Sequence, residues 1–149
     1  MTVRDVDRGW KAIKREMKRA EGREVAVGIL EGSVDEGESI AQYAAHNEFG
    51  TENIPSRPFM AISFDENRGA ITKDFDRETA KLVTGKTTAD AALTVIGQKH
   101  AGRIQKTITG RDILPRLADS TVRAKKGSTK TLVDDGAMVN AVQIELRRR

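Results

Sequence analysis

The stretch HNEFGTENIPSRPFM, His46–Met60, joins two helical parts of the chain. It contains one glycine, two prolines and two phenylalanines, although aromatic residues make up only 4% of the sequence. A residue that precedes proline is pushed out of the α-helical region, so Ile54 and Arg57 are expected to be extended. Gly50 allows a turn conformation that strains other residues. The sequence therefore predicts a rigid loop that has little conformational entropy left to lose on docking.

The side chains of this loop indicate how it is held. Phe49 and Phe59 flank it and are expected to anchor its two ends in the core. Arg57 is expected to present an exposed, planar set of hydrogen-bond donors. Two interpretations fit these features, a surface that contacts another protein and a stiff connection between helices. The residues alone do not choose between them.

Upstream of the loop, the apolar residues change their period twice. A stripe at alternating steps of three and four predicts a first helix, which Gly22 can close, and it consists of Val3, Val6, Trp10, Ile13, Met17 and Ala20. The β-branched run Val25–Leu30 predicts a buried strand. The acidic segment Glu31–Ser39 is expected to be a mobile hairpin or loop. Ser39 is a candidate cap for a short helix, IAQYAAHNEF, that ends at Gly50.

Downstream of the loop, the pattern predicts two long helices. Ser56 and Pro58 resemble a helix start, because proline is tolerated in a first turn. The first long helix is expected to show one apolar face, formed by Phe59, Ile62, Ile71, Phe75 and Leu82. A break at Thr84–Thr88 precedes the second, which carries Leu93, Ile96, His100, Ile104 and Ile108 at helical spacing.

The C-terminal region predicts short elements. One short helix is expected within residues 110–130, and another after an Asp cap at Asp134 or Asp135. The pattern then changes to period two at Val142, Ile144 and Leu146, which predicts a final strand that pairs with Val25–Leu30 or its neighbours. The predicted fold is α+β, with a small, mostly antiparallel sheet packed against long amphipathic helices, in a single domain over residues 1–149.

Composition limits the classes of function. The chain has 149 residues, of which 38% are hydrophobic and 32% charged, as expected for a globular domain. It has no cysteine, which excludes disulfides, thiolate metal sites and cysteine nucleophiles. No window of 18 apolar residues occurs, so neither a spanning helix nor a secretory leader is expected.

The net charge of +4 is concentrated at the two ends. Residues 1–19 carry seven Lys or Arg against three Asp or Glu, and residues 111–149 carry nine against five. Such ends can contact nucleic acid or an acidic protein surface, and they can equally be helix faces that keep the protein in solution.

Catalytic interpretations find little support in the sequence. TGKTT resembles the end of a phosphate-binding loop, but that motif needs a glycine where Ala80 stands, and a strand before it. His46 and Glu48 are too few ligands for a metal site. His100 lies on an apolar stripe, where a hydrogen-bonded core histidine is expected. No pair of carboxylates stands out for acid–base chemistry.

Two blocks of the sequence resemble a known family. IAQYAAHNEFGTENIPSRPFM is similar to the signature of the tailed-bacteriophage tail-completion or neck proteins (virion morphogenesis, minor tail protein Z-like), an E-F/Y-G-T segment followed by I-P-x-R-P-F. The match runs through Glu48, Phe49, Gly50, Thr51, Ile54, Pro55, Arg57, Pro58 and Phe59. A second block is similar to the family's C-terminal pattern through Leu117, Ser120, Thr121, Lys125, Leu132, Asp134, Asp135 and Gly136, with Asp135 in place of the usual threonine.

The resemblance implies a non-enzymatic structural protein of the head–tail junction that works without a cofactor or metal. Members of the family usually form rings, commonly sixfold, beside head-closure proteins and tail-terminator or tail-tube proteins. The implied location is the neck of the virion, assembled in the cytoplasm of the bacterial host and away from membranes, where non-specific contact with DNA in the lumen is possible. The nine residues of the first block are then expected to contact other subunits or partners. The alternative is a small basic nucleic-acid-binding module.

Overall fold

The computed structural model describes residues 9–32, 34–35, 37–110, 113–116, 123, 132 and 136–149. Within them lie five helices, which are α1 Trp10–Ala20, α2 Ile40–Phe49, α3 Phe59–Val83, α4 Ala89–Gly110 and α5 Ala137–Asn140. Four strands accompany them, which are β1 Arg23–Ile29, β2 Val34–Asp35, β3 Glu38–Ser39 and β4 Val142–Arg148. The predicted α+β class, with a small antiparallel sheet packed against long helices, is confirmed.

The main sheet consists of β1, which follows α1, and β4, the last strand of the chain. β1 and β4 pair antiparallel, with Val25 opposite Leu146, Val27 opposite Ile144 and Ile29 opposite Val142. Because side chains alternate along a strand, these residues share one face of the sheet. The predicted pairing of the final strand is confirmed, and the first strand begins two residues earlier than the sequence indicated.

Helix α4 lies against that face and forms the centre of the molecule. Gly97 brings the helix close to the sheet, because a Cβ at this position would lie 2.7 Å from Val25 Cγ2 and 3.2 Å from Ile144 Cγ2. The core around α4 is mainly aliphatic, as expected from the composition. Its buried members are Ala44, Phe59, Ala101, Ile104, Ile108, Ile113, Leu132, Met138 and Val142.

Several local predictions upstream of the loop are confirmed. Gly22 follows α1 with a positive φ of 67°. Within the acidic segment, β2 and β3 form the predicted hairpin, in which Val34 pairs with Ser39, while its mobility stays a prediction. Ser39 Oγ accepts a hydrogen bond from the Gln42 backbone N–H at 3.3 Å, which makes it the cap of α2. Val3 and Val6 of the predicted first helix lie outside the described residues.

Downstream, two predictions need correction. Pro58 is the residue before α3 rather than a member of its first turn. The predicted apolar face of α3 is only partly right, because Phe75 is exposed while Asp74 and Glu78 are buried. Helix α5 begins after Gly136, whose φ is 89° and which supplies no side-chain cap. Asp134, Asp135 and nearly all of the predicted helix in residues 110–130 lie outside the described residues.

Candidate functional site: the Glu48–Phe59 segment

The Glu48–Phe59 segment begins with a turn at Gly50. Its N–H donates to His46 O at 2.9 Å, and its φ of 78° lies in the left-handed region. A Cβ here would lie 2.9 Å from Ser56 N and 3.1 Å from Ile54 O. Only glycine fits, because the segment folds back directly over this residue.

Thr51 closes the turn that follows. Its backbone N–H donates to Ile54 O at 2.8 Å, and its Oγ1 accepts from the backbone N–H groups of Asn53 and Ile54 at 3.3 and 3.0 Å. Ser56 Oγ also donates to Glu48 O at 2.8 Å, across the base of the segment. These bonds give the loop the rigid form that its prolines predict.

The carboxylate of Glu48 caps helix α3. Its Oε2 accepts from Met60 N at 2.9 Å and its Oε1 from Ala61 N at 3.0 Å. Two of the N–H groups that a helix start leaves unpaired are thereby satisfied, and the negative charge lies at the positive end of the helix dipole. The sequence did not reveal this role, because the cap comes from eleven residues before the helix instead of from the position next to it.

Arg57 holds the segment to two other parts of the chain. Its N–H donates to Asn47 O at 2.6 Å, and its Nε donates to Pro115 O at 2.8 Å. Only 6% of the residue is exposed. The expectation of an exposed guanidinium is therefore wrong, and the physical reason is that the guanidinium turns inward to donate to the carbonyl of Pro115.

The two phenylalanines of the segment have opposite environments. Phe59 is completely buried in the core, as predicted, whereas Phe49 is 81% exposed. The expectation that Phe49 anchors the loop in the core is wrong. α2 ends at this residue and Gly50 turns the chain inward, which leaves the ring on the outside.

The nine predicted contact residues therefore fall into three groups. Arg57 and Phe59 are buried; Glu48, Gly50, Ile54 and Pro58 are half-buried; Phe49, Thr51 and Pro55 are exposed. Most members of the first two groups hold the segment in shape. Within the exposed group, Phe49 has the largest apolar side chain and is 81% exposed.

A second polar cluster joins α3 to α4. Asp74 is buried and accepts from Lys99 Nζ at 2.8 Å and from Arg103 Nη2. The hydrogen bonds from Lys99 and Arg103 lower the pKa of Asp74 below its usual value, although burial opposes this shift. Glu78, one turn further along α3, is also buried and pairs with Lys81 Nζ at 2.7 Å. These are structural ion pairs, because each acid is already matched by a cation.

His100 packs beside this cluster. Its ring meets Phe64 edge-on, with the centroids 6.2 Å apart. Burial, with a smaller contribution from the positive charge of Arg103, lowers its pKa below the usual value. Its Nδ1 is buried and has no hydrogen-bond partner among the described residues, so the hydrogen bond expected of a core histidine is not found at this atom.

The remaining chemical candidates do not form a site in the part of the chain that the structure describes. No group of three or more His, Asp or Glu side chains converges there in a way that could hold a metal ion. The TGKTT segment connects α3 to α4 and follows a helix, whereas a phosphate-binding loop follows a strand. None of the helices within the described ranges is long and apolar enough to cross a membrane.

Comparisons with known proteins gave no match, whether with models of protein families, with curated proteins or with solved structures. The resemblance to the tail-completion family carried by Glu48–Phe59 and by the C-terminal block stays a prediction from the sequence.

Proposed function

We propose that this protein is a non-enzymatic structural component of the head–tail junction of a tailed bacteriophage, needed to complete the virion. The proposal starts from the resemblance of the two sequence blocks. The observation that carries it further is the 81% exposure of Phe49 at the start of a segment whose neighbours are locked in place. Aromatic residues are enriched among the few residues that carry most of the binding energy of protein–protein interfaces.

The geometry of the segment supports a role in docking. Hydrogen bonds fix its backbone at both ends, from Glu48 to α3 and from Ser56 and Arg57 to α2 and Pro115. Thr51 closes the turn within the segment. A surface that is already ordered loses little entropy when it binds, so more of the contact energy appears as affinity. Most of the motif residues therefore hold the segment in shape, and Phe49 makes the contact.

The proposed partners are further copies of the chain in a ring, with a hexamer as the candidate size, together with head-closure and tail-terminator or tail-tube proteins of the same phage. In this role the protein acts in the virion neck after assembly in the host cytoplasm, and it needs no cofactor. Its work is to offer surfaces of fixed shape, and no reaction is assigned to the Asp74 or His100 clusters.

A pair of phenylalanine variants tests this function. Phe49→Ala removes an exposed ring, so we expect its free energy of unfolding to stay within about 0.5 kcal/mol of wild type. In a phage whose own copy is disrupted, we expect this variant to leave unjoined heads and tails in negative-stain images. The loss of a central aromatic contact typically costs about 2 kcal/mol, or roughly thirtyfold in affinity.

The matched control is Phe75→Ala, which removes the 43% exposed ring of a phenylalanine on α3, outside the segment. We expect it to support assembly of complete particles. Normal particles from Phe49→Ala would refute the contact assigned to Phe49. Normal particles in the complete absence of the protein would refute the junction function itself.

A further inference from the structure

Helix α2 presents an uncharged face to the outside of the molecule. Its sequence, IAQYAAHNEF, has no lysine, arginine or aspartate, and its one carboxylate, Glu48, is already bound to the start of α3. The exposed residues of the helix are Gln42, Tyr43, Ala45 and Phe49, which we call the α2 face. Gln42, Ala45 and Phe49 are spaced i, i+3 and i+7, so they lie in one row. Aromatic residues without charged neighbours are typical of the centre of a protein–protein interface.

Helix α1 presents a second apolar surface, which is bordered by positive charge. Trp10 and Met17 are 58% and 51% exposed, and their spacing of seven residues places them on one side of the helix. Lys14 lies between them, with its Nζ 5.5 Å from the centre of the Trp10 ring, and Lys18 follows one turn later. We call these four exposed residues, Trp10, Lys14, Met17 and Lys18, the α1 face. The apolar side of α1 is therefore only partly packed against the rest of the protein.

The two faces lie at opposite ends of α3. Phe49 follows Glu48, whose carboxylate caps the start of α3. α1 lies at the other end, because Glu16 Oε2 accepts from Ala89 N at 3.4 Å, and Ala89 begins α4 just after the connection that follows α3. The 25 residues of α3 span about 37 Å. The two faces of one subunit are therefore too far apart to cover each other.

The charges around the two faces are opposite in sign. Residues 24–56, which include α2, contain seven Asp or Glu and no Lys or Arg. The exposed residues Glu31 and Glu52 precede and follow α2 within this range. Helix α1 contains five Lys or Arg and one Glu. The region around α2 in one copy therefore attracts α1 of another copy.

We propose that the α1 face of one copy docks on the α2 face of a second copy. The apolar side chains of the two faces form the centre of the contact, and the α1 lysines approach the acidic residues beside α2. The two helices match in length, at 11 and 10 residues, or about 15 Å each. Because the two surfaces differ, the contact is head-to-tail, and it repeats from copy to copy into a ring or a filament. The inference rests on the proposed function and deepens it, since it assigns Phe49 to the contact between copies rather than to another neck protein.

A contact between copies accounts for both faces at once. An anionic membrane attracts a basic helix with exposed apolar residues, but it would leave the α2 face uncovered. A contact of α1 with α1, or of α2 with α2, would bring like charges together. The pairing of α1 with α2 covers both apolar surfaces and matches both signs of charge.

Sedimentation velocity on the full chain tests the contact with two complementary variants. Trp10→Ala/Met17→Ala removes the apolar part of the α1 face, and Ala45→Arg/Phe49→Ala blocks the α2 face. We expect the wild type to associate beyond the dimer, and each variant alone to associate at least about tenfold more weakly. An equimolar mixture should form a one-to-one dimer that does not grow, because the first variant keeps an intact α2 face and the second keeps an intact α1 face. A contact between identical surfaces cannot give this result.

Lysine variants test the charges of the same contact. Lys14→Glu/Lys18→Glu should weaken association, whereas Lys73→Glu/Lys86→Glu, which changes two exposed lysines elsewhere, should associate like wild type. Both variants reduce the net charge of +4 to zero, so position alone distinguishes them. These variants change exposed side chains only, so they keep the test valid if an apolar variant fails to fold in thermal melts.

The matched control for the apolar variants is Phe64→Ala/Phe75→Ala, which truncates two exposed rings of α3 outside both faces and should associate like wild type. The proposal is overturned if the wild type stays monomeric at every concentration at which it dissolves, whether or not it binds phosphatidylserine vesicles. It is also overturned if either face variant associates like wild type, or if the mixture forms no dimer. Each of these results leaves the junction function in place, because that function fails only when normal particles form without the protein.

Discussion

The Glu48 carboxylate ties the end of one helix to the start of the next. Glu48→Ala leaves the N–H groups of Met60 and Ala61 without an acceptor. Loss of a side-chain cap costs about 0.5–2 kcal/mol, so we expect a decrease of about 1 kcal/mol in the free energy of unfolding. Glu52→Ala is the control, because Glu52 is exposed in the same loop. Urea denaturation measures both, and equal stabilities would contradict the capping role.

Arg57 belongs to the interior of the fold. Arg57→Ala removes the donor to Pro115 O and leaves a space in a site where only 6% of the residue is exposed. We expect a loss of about 1–3 kcal/mol. Arg15→Ala, which truncates an exposed arginine on α1, should change stability by less than about 0.5 kcal/mol. If both variants melt alike, the hydrogen bond from Arg57 to Pro115 O does not contribute to stability.

For single residues, the sequence predicts the features that depend on near neighbours in the chain. The Ser39 cap and the turn at Gly50 follow from residues within three or four positions, so the sequence predicts both. The burial of Arg57 depends on a segment nearly sixty residues away, and the exposure of Phe49 depends on the direction in which α2 ends. Neither has a local signal. An aromatic at a helix end is apolar whether it points inward or outward.

At the scale of elements, α4 packs closely on the sheet at Gly97, which has no side chain to separate them. Gly97→Ala would place a methyl group 2.7 Å from Val25 Cγ2, so the helix or the sheet has to shift. We expect a loss of about 1–3 kcal/mol, as is usual for overpacking. Gly102→Ala lies on the same helix with no atom within 4 Å, and it should gain about 0.5–1 kcal/mol because alanine favours helix. Thermal melts that show both variants destabilised would contradict this packing.

The α3–α4 contact depends on the negative charge of Asp74, which is lost by protonation at low pH. The folded pKa of Asp74 lies below its ordinary value of 3.8, so its contribution is complete above that value and is lost as pH falls through the folded pKa. Asp74→Asn should cost about 1–3 kcal/mol at pH 7, less than for a fully buried pair, because Lys99 and Arg103 are partly exposed. The difference from wild type should shrink below about pH 4. A constant difference from pH 7 to pH 2 in urea titrations would refute the ion pairing.

The same contact explains why the apolar pattern of α3 predicted the wrong buried face around Phe75. The sequence predicts that the stripe with Phe75 faces the core, but the partner helix presents Lys99 and Arg103, which draw Asp74 inward. Phe75 consequently lies at the edge of the interface. For α4 the pattern is a better guide, because Ile96, Ile104 and Ile108 are all buried. Periodicity locates an element, and the partner decides which face is buried.

At the scale of the whole molecule, β4 closes the fold by pairing with β1 along its full length. A chain that stops after Ala141 loses the buried side chain of Val142, the partners of all seven residues of β1 and the sheet surface that Gly97 approaches. We expect it to lose cooperative thermal unfolding, because β1 alone leaves its backbone groups unpaired. Removal of Arg149 alone deletes one hydrogen bond to Gly22 O and should cost about 1 kcal/mol. A sharp unfolding transition in the shorter chain, followed by circular dichroism, would mean that the helices form a stable unit without the sheet.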